Sequence, residues 1–161
     1  MKRNVLVVTN ITATSSELHD ALRARADRGA AAFTLVVPAT PFGGGRAAAR
    51  EQLAEALERL RGAGLEVDGS VGAGDPISAV SEVWDPKRHD EIIVSTLPMR
   101  LSRWLNAGLP ERIGRLTGAP VTHVVSQPPK PEVATVPAPA REKLGVIAPL
   151  SVMSWGGQKQ P

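Results

Sequence analysis

Apolar residues along this chain fall into two kinds of run that alternate. Short β-branched runs predict strands: Val5-Leu6-Val7-Val8-Thr9, Phe33-Thr34-Leu35-Val36-Val37, Leu65-Glu66-Val67 continuing to Val71, Glu91-Ile92-Ile93-Val94-Ser95 and Val121-Thr122-His123-Val124-Val125. Between them stand segments with helical spacing. Thr14-x-x-Glu17 predicts a capped helix over 15–27 that stops at Gly29. Residues 46–61 place Leu53, Leu57 and Leu60 on one face and end in Gly62-Ala63-Gly64. Asp75-Pro76 reads as an N-cap with proline at the first helical position, opening a helix over 77–84. A last helix is predicted over 110–116, ending at Gly118.

Nearly continuous apolar strands are the pattern of a parallel sheet buried on both faces. Strand and helix in strict alternation, with short connections and right-handed crossovers, predict an α/β fold. The expected architecture is a doubly wound five-stranded parallel sheet with helices on both faces, a Rossmann-like three-layer sandwich. Such a sheet takes ligands beyond the carboxyl ends of its strands. The loops to watch are therefore 10–14, 38–45, 71–76 and 96–108.

Composition removes several functions. The chain has 161 residues and no Cys, so disulfides, thiolate nucleophiles and cysteine zinc sites are excluded. Only five residues are aromatic, two Phe and three Trp, and the core must be aliphatic. No apolar run approaches the ~20 residues of a membrane span, and Val5-Leu6-Val7-Val8 is shorter than the ~7–15 apolar residues of a secretory leader. The expectation is a cytoplasmic protein without a membrane span. The formal net charge is +3, but Arg is interspersed with Glu and Asp along helical segments, which describes a solvated face. No nucleic-acid partner is expected.

Catalytic motifs are missing. Gly43-Gly44-Gly45 after the second strand lacks the Lys-Ser/Thr of a Walker loop and reads as a βα loop. Gly72-Ala73-Gly74 fails as a dinucleotide fingerprint, since Ile77 stands at the third glycine. His19, His89 and His123 lack partners at metal spacing, so no metal is expected, and His123 reads as a structural histidine in its strand. No nucleophile elbow or paired carboxylate marks an enzyme.

The sequence resembles the universal stress protein family over about residues 3–125. Val5 to Asn10 looks like the family's first strand, Gly74-Asp75-Pro76 like its Gly-x-Pro helix opening, and Asp90 to Ser95 with Leu101 to Leu105, Glu111-Arg112 and Ala119-Pro120-Val121 like its C-terminal half. ATP-binding members share Gly-x-x-Gly, nine residues, then Gly-Ser/Thr after the fourth strand. The matching positions here are Ser95, Pro98, Gly108 and Leu109, and only the third glycine is kept. Pro98 has no amide hydrogen for a phosphate, Ser95 crowds a backbone approach and Leu109 lacks a hydroxyl. Asn10 replaces the family's Asp, and Val37 matches a position whose backbone would meet an adenine edge. Arg100 and Arg103 are the residues in the same loop that would offer an anion contact instead.

The resemblance implies a non-catalytic stress-response regulator with a degenerate adenine-nucleotide pocket. No cofactor is assured; ATP or another adenine nucleotide is the candidate ligand. Two alternatives stand beside this reading: an ATP-binding switch or weak ATPase using the same pocket, and a nucleotide-independent interaction scaffold acting through the last strand and the tail. The family also implies a homodimer through Val121–Val125, an open edge of β-branched residues. Half of the 14 Pro lie beyond residue 127. This divides the chain into an α/β domain, 1–125, and a Pro-rich tail, 126–161, that reads as a mobile tail; the alternative is docking of its apolar segment 144–155 on the domain, a dimer mate or another protein partner.

Overall fold

A computed structural model describes residues 2–41 and 44–127. Its elements are β1 (Arg3–Val8), α1 (Ser16–Asp27), β2 (Ala31–Pro38), α2 (Gly45–Gly62), β3 (Glu66–Gly72), α3 (Pro76–Val83), β4 (Glu91–Thr96), α4 (Arg103–Asn106), α5 (Leu109–Thr117) and β5 (Val121–Val125), with a short 3-10 turn at Met99–Leu101. The strands form one sheet in the order β3-β2-β1-β4-β5, and every pairing is parallel. This is the doubly wound architecture expected from the sequence.

The two-residue period of a strand divides the core into two layers. Val5, Val7, Phe33, Leu35 and Ile93 pack against Leu18 and Leu22 of α1 and Leu53, Ala56 and Leu60 of α2. Leu6, Val8, Val36, Ile92 and Val94 pack on the other side, against Ala79 and Val80 of α3, Trp104 of α4, and Leu109 and Ile113 of α5. Burial on both faces holds for β1, β2 and β4. It does not hold for β3 and β5, which carry exposed positions along their length because each is an edge with a single strand neighbour.

Three local expectations need correction. The N-cap of α1 is Ser15, whose Oγ accepts from the Leu18 amide at 3.1 Å, and not Thr14. Turns closed by Ala13 N–H on Asn10 and Ser15 N–H on Thr12 bring the chain to the cap one residue later. Residues 96–108, expected as loop, hold the 3-10 turn and α4. The strand β5 is also not the end of the described fold: Ser126 is fully buried and its amide donates to Thr96 O at 2.7 Å. Phe42, Gly43 and the tail from residue 128 lie outside the described residues, and with them both readings of the tail, mobile or docked through segment 144–155. No helix among the described residues is long and apolar enough to cross a membrane.

Candidate functional site

The carboxyl ends of β1 to β4 open into one cleft of about 450 Å³, a volume typical of small-molecule sites. The cleft lies where the strand order reverses between β1 and β4, which is where an open α/β sheet leaves a crevice. Asn10 and Ile11 enter it from the loop after β1, and Thr40 and Pro41 from the loop after β2. Gly74, Asp75, Pro76 and Ile77 contribute the opening of α3. The far wall is Thr96, Leu97, Leu101, Ser102, Arg103 and Trp104, closed by Ala107, Leu109 and Arg112.

Two of these walls are held by short-range chemistry. Asp75 caps α3: its Oδ2 accepts from the Ser78 amide and the Ser78 hydroxyl, both at 3.0 Å. A Cβ on Gly74 would lie 3.1 Å from Ala39 O, so the loops after β2 and β3 nearly touch there and glycine permits it. On the other side Ser102 caps α4 through Leu105 N at 3.1 Å. The amides of Leu101, Ser102, Asn106, Ala107 and Gly108 donate to carbonyls inside the same crossover. With Leu105, six amides of the segment joining β4 to α5 are thus engaged by that segment itself.

Beneath the cleft runs a chain of buried hydroxyls. Thr9 Oγ1 is 3.0 Å from Thr12 Oγ1, which is 2.7 Å from Ser95 Oγ. Ser95 Oγ is 3.2 Å from Ser126 Oγ, which accepts from Ser15 Oγ at 2.8 Å. The chain ties the ends of β1, β4 and β5 to the start of α1.

Of the residues singled out from the sequence, Asn10, Arg103 and Leu109 line the cleft. Ser95 is fully buried below it, its hydroxyl bonded to Thr12. Val37 is fully buried within the apolar layer under α1 and α2. Pro98, Arg100 and Gly108 are not among the lining residues. Gly108 instead supplies the left-handed N-cap of α5, at φ 68°. Sequence reasoning missed Trp104 and Arg112. Ser102 followed by Trp104 and Leu105 is the cap-and-apolar signal that would have found α4 and its wall. Arg112 stands three residues after Leu109, so the start of α5 brings both to the cleft.

A second, polar cavity of about 480 Å³ opens at the amino ends of the strands, with Arg3, Arg25, Arg28, Asp90 and Glu91 around it. Its central arginine is already committed. Arg25 Nε and Nη2 meet the Glu91 carboxylate at 2.9 and 3.1 Å. The hydrogen bonds to Glu91 raise the Arg25 pKa above its ordinary value, against a smaller lowering by burial. This is a tie between α1 and β4. Among the described residues no group of three or more His, Asp or Glu gathers as a metal site.

No family model matches the chain, and no curated protein matches it. Among solved structures it is similar to a crystal structure described as a universal stress protein in complex with cAMP. The TM-score is 0.55 at 22% identity, over 78% of this chain and 98% of that one. The likeness is one of fold.

Proposed function

We propose that the chain is a non-catalytic regulator of the universal stress protein type, working in the cytoplasm in stress response. Its cleft takes an adenine nucleotide without a grip for a triphosphate. The observation that carries this reading is the engagement of six amides in the crossover from β4 to α5. A polyphosphate cradle needs backbone amides aimed at the ligand. Here those amides close a 3-10 turn and α4, and Pro98 has none to give.

What the cleft does offer is a mostly apolar wall around Trp104, Leu101, Ile11 and Ile77, with Arg103 and Arg112 against the single carboxylate of Asp75. Basic side chains beside a broad apolar face suit a flat base carrying one anionic phosphate. The cAMP of the similar structure is a ligand of that description. Asp75 is held as a helix cap by Ser78 and is poorly placed to act as a base. The open edge of β5 supports pairing with a second copy.

The test is a proton–nitrogen NMR titration with cAMP, followed by an assay of phosphate release from ATP. Resonances of Ile11, Gly74, Leu97 and Ala107 are expected to move, while Arg3 and Arg28 at the other end stay still and no phosphate appears. Shifts at the amino-end cavity alone, or steady release of phosphate, would overturn the reading.

A further inference from the structure

Thr96 ends β4 at the cleft and is 1% exposed. Three hydrogen bonds hold it. Its hydroxyl donates to Leu97 O at 2.9 Å, His123 Nε2 stands 2.7 Å from the same oxygen, and its carbonyl accepts from Ser126 N at 2.7 Å. A hydroxyl has one proton, and the one on Thr96 goes to Leu97. With the Thr96 proton on Leu97 O, the tautomer of His123 that bears its hydrogen on Nε2 completes the second bond. Two of the three bonds reach Thr96 from β5 and the residue after it.

The consequence runs into the cleft wall. Fixing Leu97 O fixes the peptide plane before Pro98, and Pro98 O accepts from Leu101 N at 2.8 Å to close the 3-10 turn. Leu97 and Leu101 both line the cleft. A second link runs from Ser126 through Ser95 to Thr12, next to Asn10 and Ile11 on the opposite wall. Meanwhile His123 belongs to an edge strand and is itself exposed.

We propose that His123 is a positioning residue that holds the cleft wall through Thr96 and Leu97. Loss of that hold loosens the cleft wall and weakens binding of the ligand the cleft takes. The ligand half of this inference rests on the proposed nucleotide reading; the mechanical half does not.

Three variants test it: His123→Leu removes the donor, His123→Gln keeps an N–H donor, and Thr96→Val removes the shared oxygen. The first readout is amide hydrogen exchange of the full chain without ligand. Exchange at Leu101 and Ser102 is expected to speed up by about three- to tenfold in His123→Leu and Thr96→Val, as loss of a neutral hydrogen bond implies. It stays near wild type in His123→Gln, and the double variant exchanges no faster than either single. The second readout is cAMP affinity, expected to fall by a similar factor in His123→Leu and to recover in His123→Gln. Unchanged exchange at Leu101 and Ser102 overturns the proposal, as does faster exchange with unchanged cAMP affinity. If the wild type binds no cAMP, the nucleotide reading fails, and the exchange data alone decide the role of His123.

Discussion

Ser95 shows how much one hydroxyl can commit a site. It is fully buried and stands between Thr12 and Ser126, at 2.7 and 3.2 Å. Ser95→Ala breaks both of these bonds, while Thr12 keeps Thr9 and Ser126 keeps Ser15 as partners, and two lost neutral hydrogen bonds cost about 1–3 kcal/mol. Urea unfolding should show a loss of that size. His89 makes a different kind of commitment. It is buried, stacks on Trp84 with ring centroids 5.5 Å apart, and accepts the Asp85 amide on Nδ1 at 3.1 Å. Burial, with the nearby Arg88 charge, pushes its pKa below the usual histidine value. The folded state therefore holds its proton less tightly than the unfolded chain. The stability this confers is present above the unfolded pKa of about 6.5 and falls as pH drops through the lower, folded value. Melts of wild type and His89→Gln between pH 8 and 5 should diverge in slope only in the acidic half.

At the scale of elements, α3 connects stability to the cleft. Its cap, Asp75, lines the site, and its first turn lies over the end of β3. A Cβ on Gly72 would fall 2.7 Å from Ala79 Cβ and 3.3 Å from Val36 Cγ1. Gly72→Ala must push α3 off the sheet, at about 1–3 kcal/mol for overpacking, and cAMP affinity should fall with it because Gly74 to Ile77 move together. Asp75→Ala removes the cap, about 1 kcal/mol in a thermal melt. Elements of this kind were legible in the sequence. The strands β1, β2 and β4 are unbroken apolar runs, α2 has its leucine stripe, and α3 has the Asp-Pro opening. The crossover from β4 to α5 was not legible as structure, because α4 is four residues long and has too few positions to show a period. With α4 hidden, Trp104 stayed out of the predicted site. Pro98 and Gly108 were placed in the site by motif spacing, which the 3-10 turn no longer follows. Ser95 was placed correctly at the strand end, but its hydroxyl partners come from positions 83 and 31 residues away, beyond any local pattern.

Across the whole molecule, the crossovers between parallel strands set which loops meet. The connections from β1 through β3 put α1 and α2 on one face, and the return to β4 and β5 puts α3, α4 and α5 on the other. The two sets part between β1 and β4, and the cleft is the gap left there. At the amino end of the sheet the Arg25–Glu91 pair, with side chains 10% and 20% exposed, ties α1 to β4 beside the polar cavity there. On the proposed reading this cleft recognises a base and one phosphate and has no cradle for three. Calorimetric titration of the full chain with cAMP, AMP, ADP and ATP, with and without magnesium, tests it most directly. The expected result is binding of cAMP or AMP at least as tight as that of ATP, with no dependence on magnesium. ATP binding tenfold or more tighter than cAMP and AMP, and strengthened by magnesium, would contradict it.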